Sequence, residues 1–322
     1  DISKFKNYGK LSGRTTLQAE DSISRIDYAK NKKNRGDFCL WKFSAESEPS
    51  WPSPFGKGRP GWHIEDTAIT EKYFGAQYDI HGGAIDLIFP HHEAEISQME
   101  AVSGKKPLAK YWMHTGFLTI ESQKMSKSSE NFVTIDNFLK RRSYQHLRFW
   151  IAKNLWRSPL NYSESAMIET KSSSEKVEEF LRKIKSKKQQ STNKNSPAIK
   201  KAIKSYGKDF YNHLADDFNT PKAFAAMFDL IKDMNKVIDK ISKSEAAEIY
   251  SFFEKINTIF DFIDFKRVEK FQVPEEVDKL MKEREKQRKA ENWQRADELR
   301  KEIENHGYVI EDNKEGTIIK IR

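Results

Sequence analysis

The sequence predicts an α/β domain, then an α-helical bundle, then a small C-terminal α+β unit. Three observations predict it. Strand-like runs alternate with helical stretches over residues 51–120, apolar residues recur at three- and four-residue spacing beyond residue 209, and two helix patterns after Pro274 give way to two short β-rich runs.

Residues 1–50 are polar and irregular, with one strand expected at DFCLWKF, residues 37–43. YDIHGG (78–83), IDLIF (85–89) and GFLTI (116–120) read as strands, and HIEDTAITEKYF (63–74) and HHEAEISQMEAVSG (91–104) as helices. From residue 133 the pattern is helical, through FLKRRSYQHLRFWIAK (138–153) and SSEKVEEFLRKIK (173–185). KDFYNHLADDFNTPKAFAAMFDLIKDMNKVIDKI (208–241) and SEAAEIYSFFEKINTIFDFI (244–263) carry the apolar spacing of a helix bundle. Residues 275–307 read as two helices, the second closed by Gly307. YVIED and TIIKIR, joined by NKEG, form the expected hairpin.

The 322 residues can fill two or three domains, and no apolar run reaches the ~20 residues of a membrane span. A cytoplasmic location is expected. The single cysteine, Cys39, excludes an internal disulfide framework. The formal net charge is +9, and between Arg182 and Lys208 basic side chains occur without an acidic one. That segment reads as a solvated linker, with an arm touching nucleic-acid phosphates as the other reading.

Chemistry concentrates in three stretches. WPSPFGKGRPGWHIED, residues 51–66, packs prolines, glycines and tryptophans into a rigid loop that suits a small ligand or serves purely as structure. HGGAIDLIFPHHEAE, residues 81–95, ends a strand with His81, Gly82 and Gly83, where paired glycines allow close backbone approach or a tight turn. His91 and Glu95, four apart after Pro90, are half of a metal site or an ordinary surface pair. KMSKSSENF, residues 124–132, holds Lys124 and Lys127 among small hydroxyl residues, a loop able to grip a triphosphate or merely to turn in solvent.

KMSKS at 124–128 matches the ATP-binding signature of class I aminoacyl-tRNA synthetases. With PSWPSPFGKGRPGWHIE, HGGAIDLIFPHHEAEISQ, ADDFNTPKA and NWQRADELRKEIENHG, the chain closely resembles cysteinyl-tRNA synthetases from their middle to their C-terminus. The resemblance implies the second half of a Rossmann-like, nucleotide-binding class I catalytic domain. It makes residues 1–50 the end of a connective insertion, 51–132 the catalytic half and 133–180 stem-contact helices. A basic linker at 181–208, a helical bundle at 209–272 and an anticodon-recognition unit at 273–322 complete it.

The implied reaction activates L-cysteine with ATP and Mg2+, then transfers it to tRNA(Cys). Lys124 and Lys127 would be catalytic, with Ser126, His81, Gly82, Gly83 and Asp86 around ATP and adenylate, and Trp62 and His63 lining the cysteine pocket. Zn2+ in such enzymes binds the substrate thiolate, and His91 and Glu95 match two of its ligands. Asp66 stands where the family has a cysteine, which leaves zinc retained on a harder ligand set, weak, or absent.

No HIGH-type tetrapeptide occurs in the sequence, nor the family's other zinc cysteine. The expectation is therefore that an N-terminal part of a longer protein is missing, and that these residues by themselves would form no adenylate. A non-catalytic tRNA-binding module and a cysteine ligase acting on a small amine are the competing functions. A monomer is expected. In the last fifty residues, Lys282, Arg284, Arg295 and Lys301 alternate with acids, and Trp293 is a candidate stacking platform for RNA.

Overall fold

The computed structural model describes residues 2–14, 18, 32–34, 36–124, 133–270, 274–313 and 316–321. The chain folds as two units, Asp1–Met125 with Trp156–Asn161, and Ser126–Leu155 with Tyr162–Arg322. Among the described residues no helix is long and apolar enough to cross a membrane.

In the first unit, β1 (Trp41–Phe43) pairs antiparallel with β2 (Gly58–Pro60). Helix α1 (Trp62–Phe74) follows at once and stops at Gly75, whose φ of 79° suits a residue without a Cβ. The centre is a β-α-β unit. β3 (Tyr78–Ala84) and β4 (Ala109–Thr115) pair in parallel, from Tyr78 opposite Ala109 to Ala84 opposite Thr115, and α2 (Glu93–Ser103) connects them. IDLIF, expected as a strand, is instead a 3₁₀ turn at Ile85–Leu87 running into one wide turn at Ile88–His92. β3 has already used residues 78–84, so the chain must turn there to reach α2, and Pro90 could not extend a ladder.

Buried carboxylates fasten this unit. Glu93, 1% exposed, accepts hydrogen bonds from the Gly9 N–H (3.0 Å), the Ser12 N–H (2.7 Å) and the Ser12 hydroxyl (3.1 Å). Glu100 accepts from the Leu108 N–H at 3.1 Å and so sets the start of β4. β5 (Leu118–Ile120) and β6 (Gln123–Lys124) form a hairpin, with Thr119 opposite Lys124. Its two turn residues, Glu121 and Ser122, have φ of 47° and 65°, a primed turn made without glycine. β7 (Leu160–Tyr162) joins the sheet in the order β6-β5-β7.

The second unit is helical. α3 (Ile135–Leu139) and α4 (Tyr144–Ala152) divide what the sequence reads as one helix, because Ser143 caps α4 by accepting from the His146 N–H. α5 (Glu164–Gln190) and α6 (Pro197–Ala215) occupy most of the stretch expected as a basic linker, 181–208. The low hydrophobicity there belongs to solvated helix faces, while Leu181, Ile184, Ile199 and Ile203 are buried on the other face.

α7 (Thr220–Lys236), α8 (Lys243–Phe260) and α9 (Phe265–Lys270) complete the bundle. Within 208–241, read as part of a helix bundle, the helical backbone breaks at Asp217 and Phe218, both at positive φ, before Asn219 caps α7. Phe149, Phe180, Phe210, Phe253 and Phe262 fill the core, with the Phe149 and Phe262 rings stacked at 4.5 Å. Glu245, fully buried, accepts from the Ser196 N–H (2.6 Å) and the Ser242 N–H (2.9 Å), and so ties the starts of α6 and α8 together.

α10 (Glu275–Lys289) and α11 (Trp293–Asn305) pack with the hairpin of β8 (Tyr308–Asn313) and β9 (Gly316–Ile321) around Val277, Ile303 and Ile310. Gly307 follows α11 at φ 83°, as the sequence predicts.

Candidate active site

Strand β3, helix α1, the turns after β3 and the start of α2 converge on a cavity of about 350 Å3 in the first unit. Trp62, Asp66 and Thr70 reach it from α1, His81 and Gly82 from β3, and Leu87, His91, His92 and Glu95 from the turns and first residues of α2. Its size suits a small metabolite. From the loop-rich stretch 51–66, Trp62 and Asp66 line this cavity, and the Trp51 and Phe55 side chains stand exposed elsewhere.

The strand register explains the floor. His81 pairs with Trp112 and Gly83 with His114. A Cβ on Gly83 would lie 2.9 Å from both His92 Cε1 and Leu87 Cδ1, so glycine is what lets His92 lie against β3. His92 is 2% exposed and its Nδ1 is 2.8 Å from Nε2 of His114. His81 shares a 2.6 Å hydrogen bond between its Nδ1 and the Tyr78 hydroxyl. The His81 and Trp112 rings lie 4.7 Å apart.

The wall toward α1 is also aromatic. The His91 ring meets Trp62 at 5.3 Å and His63 at 4.7 Å, both edge to face. His63 supports His91 and does not itself line the cavity. Phe89 is the one non-helical residue within Ile88–His92, and His92 and Glu93 are αR, so helical backbone runs from Pro90 into α2 and His91 and Glu95, four apart, both line the cavity.

Burial governs the electrostatics. It lowers His92 to about 3, with the His81, His114 and His91 rings adding to the effect. It lowers His63 to about 4, and it lowers His81, His91 and His114. Burial, then the Asp66 charge, lifts Glu95 to about 8, and burial also raises Asp66. At neutral pH the cavity therefore holds neutral imidazoles and a protonated Glu95.

Glu95 Oε2 lies 3.4 Å from His81 Nε2, within ion-pair reach yet outside hydrogen-bond geometry. Their opposite shifts make this a contact of two neutral groups. Glu95 Oε2, His91 Nδ1 and His63 Nδ1 are all buried without a hydrogen-bond partner. Orphaned buried donors and acceptors of this kind cost about 1–3 kcal/mol each, which marks the site for something that completes them. Among the described residues, one group brings three metal-capable atoms within 4.8 Å of one another: His81, His92 and Glu95. Asp66 and His91, the other expected ligands, line the same cavity.

Asp86 lies exposed in the 3₁₀ turn, and its charge opposes the lowering of His91. Lys124 ends β6, while Ser126 and Lys127 lie outside the described residues. His92, His114, Trp112 and Tyr78 were not legible as site residues. The one available signal was alternation in AKYWMHT, which puts Trp112 and His114 on one face of a strand.

Known proteins resemble this chain over its whole length. Residues 1–172 match the family model described as the tRNA synthetases class I (C) catalytic domain, 209–263 the DALR domain, and 272–318 the cysteinyl-tRNA ligase anticodon binding domain. The cysteine–tRNA ligase of Methanococcus maripaludis is 40% identical over 99% of this chain and 69% of its own length. Those of Thermococcus gammatolerans (39% identical, 99% and 69%) and Acinetobacter baumannii (36% identical, 99% and 68%) are similar. Among solved structures, the Agrobacterium radiobacter LeuRS in complex with tRNA and LeuAMS aligns with a TM-score of 0.53 at 13% identity. It covers 66% of this chain and 33% of that one, a likeness of fold. On this sequence and domain evidence, the chain belongs to the cysteinyl-tRNA synthetase family of class I aminoacyl-tRNA synthetases.

Proposed function

We infer that the polypeptide activates L-cysteine with ATP and Mg2+ and transfers it to tRNA(Cys). The observation that carries this reading is the 350 Å3 cavity of neutral imidazoles beside Trp62, at the carboxyl end of a parallel strand that finishes His81-Gly82-Gly83. Ligands of open α/β sheets bind at that end. A Cβ on Gly82 would meet the Met113 carbonyl oxygen at 3.5 Å, an ordinary contact, and its absence leaves the backbone barer for close approach by an adenylate.

The roles divide by place. Trp62 and His91 wall the amino-acid end, and His63 holds His91 in position from behind. His81, Gly82, Gly83 and Asp86 border the adenylate. Lys124 and Lys127, with Ser126, neutralise the charge that builds on the phosphates as the cysteine carboxylate attacks. The protein supplies placement and electrostatics, not a covalent step. The second unit and residues 275–321 hold the tRNA, with Trp293, more than half exposed, as a stacking surface for the anticodon. A cytoplasmic monomer fits this role.

The orphaned Glu95 Oε2 and His91 Nδ1 fit the donors a zinc ion takes, with Asp66 as third ligand. When bound, the ion would favour the soft thiolate of cysteine over the hydroxyl of serine. His81 and His92 stand ready as the alternative nitrogen donors.

Cysteine-dependent ATP–pyrophosphate exchange, followed by charging of tRNA(Cys), tests the reading. Exchange with charging is the expected result for the full-length polypeptide. Exchange with transfer to a small amine in place of tRNA would point to a ligase, and tRNA binding without exchange to a non-catalytic module.

A further inference from the structure

We propose that Asn161 is a positioning residue for the activation step: its carboxamide oxygen clamps the β5–β6 hairpin that ends in Lys124, and so sets where the lysine-bearing segment leaves the sheet. The inference rests on the reading that Lys124 acts on the phosphates. Asn161 Oδ1 accepts hydrogen bonds from the Ser122 N–H at 2.8 Å and from the Thr119 hydroxyl at 2.9 Å. A backbone N–H can only donate, so the oxygen end of the amide must face it, and both of that oxygen's lone pairs are then used.

The hairpin needs such a clamp. β6 is two residues long, and Glu121 and Ser122 hold positive φ without glycine, a conformation that the surroundings must maintain. Glu121, Ser122 and Gln123 are exposed, so side-chain packing does not hold the turn. An isolated two-stranded hairpin is marginal in water. Asn161 supplies the constraint at the two places that matter: Ser122 lies in the turn, and Thr119 is the register partner of Lys124.

Asn161 is in turn tied to the strand that carries the cavity floor. The Gly116 N–H donates to the Trp156 carbonyl at 3.1 Å, and the Leu160 N–H to the Phe117 carbonyl at 2.8 Å. A Cβ on Gly116 would lie 2.3 Å from the Ser158 carbonyl, so glycine is what lets the returning chain press against the junction of β4 and β5. Gly116 directly follows β4, whose His114 belongs to the floor. A line of hydrogen bonds thus runs from the strand of His114 to the register partner of Lys124, and the Asn161 side chain is the link that one substitution removes.

Cysteine-dependent ATP–pyrophosphate exchange by the full-length polypeptide tests the clamp, alongside hydrogen exchange at the Ser122 amide. Asn161→Leu should lower kcat about 10- to 100-fold, the scale of a small misplacement of a reacting group, with the KM for cysteine unchanged and the Ser122 amide exposed to solvent exchange. Asn161→Asp, which keeps the acceptor oxygens, should recover most of the rate. Thr119→Val removes one of the two bonds and should fall between, and the same comparisons on it decide the matter where the leucine variant does not fold. The losses from Asn161→Leu and Lys124→Ala should fall well short of multiplying, since both act through one group. Multiplying losses, a raised cysteine KM at parental kcat, or a leucine variant with parental activity and Ser122 protection overturns the proposal. Failure of the synthetase reading shows separately, as absent exchange in the parent while Ser122 protection still falls in Asn161→Leu and persists in Asn161→Asp.

Discussion

His92 Nδ1 and His114 Nε2 lie 2.8 Å apart, so one ring donates, the other accepts, and at most one can be charged. Each belongs to a different segment of the β-α-β unit, His92 to the cap of α2 and His114 to β4. Their hydrogen bond thus reports whether the cavity floor is assembled.

The acid response of the first unit follows from that floor. His92 falls to about 3 and His63 to about 4 in the folded protein, against 6.5 in a free chain. As pH drops through 6.5, the unfolded chain takes up protons that the folded one refuses. Stability is therefore complete above 6.5 and declines below it, by up to about 1.4 kcal/mol per pH unit for each proton. Glu95, raised to about 8 from 4.5, acts oppositely, stabilising fully below 4.5 and losing that contribution as pH rises to 8. The histidines outnumber it, so urea midpoints of metal-free protein should fall from pH 7 to pH 5. Glu95→Gln, which removes the opposing slope, should make the fall steeper. A midpoint flat across that range would count against the buried neutral imidazoles.

Asp66→Cys tests the metal. A thiolate is a softer and stronger zinc ligand than a carboxylate, and His91 and Glu95 already line the same cavity. Zinc retention on dialysis against a chelator should rise at least about tenfold, and discrimination of cysteine from serine in the exchange assay should sharpen. Loss of zinc in Glu95→Ala, against retention in the parent, is the matching result.

At the C-terminal unit, Arg284 is 3% exposed and its Nη1 donates to Asp312 at 3.0 Å, while Arg288 pairs with the same carboxylate. The Arg284 hydrogen bonds hold Asp312 at about 2. Asp312→Ala leaves a buried guanidinium unmatched and should cost about 3 kcal/mol. Limited proteolysis would show 275–321 cut first. In the parent protein the pair's contribution is present above pH 3.8, the ordinary value, and lost as pH falls through it toward 2.

Lys127→Ala should lower cysteine-dependent exchange by about 10²- to 10³-fold, the usual effect of deleting a charge that meets a developing anion. Binding of tRNA, measured by filter retention, should persist. Exchange at the parental rate would remove the lysine loop from the chemistry.

Elements with strong period and clear punctuation were legible in the sequence. Helix α1 between its glycines, the parallel strand ending in Gly82-Gly83, and the final helix closed by Gly307 all read directly. Where periodicity was ambiguous, tertiary demands decided. IDLIF alternates like a strand but must turn, and 181–208 looks like a polar linker because its helices bury one narrow stripe. The site was half visible. Trp62, His81, His91, Glu95 and Asp66 declared themselves by motif, whereas His92 and His114 acquire meaning only from the pairing of two strands that are distant in sequence. Glu93 was equally silent, because its partners are backbone N–H groups more than eighty residues away.

Helix α5 replaces the expected tether with a rod. Its 27 residues span about 40 Å, and its far end is pinned where Ser191 donates to the Ile241 carbonyl at 2.8 Å and Lys187 meets Asp239 at 2.9 Å. A floppy spacer would absorb length variation, but a rod converts each inserted residue into about 1.5 Å of travel and 100° of swivel. Natural insertions or deletions here should come in blocks of about seven, two full turns, since only those keep the buried stripe facing inward. Residue number along α5 is thus a caliper setting.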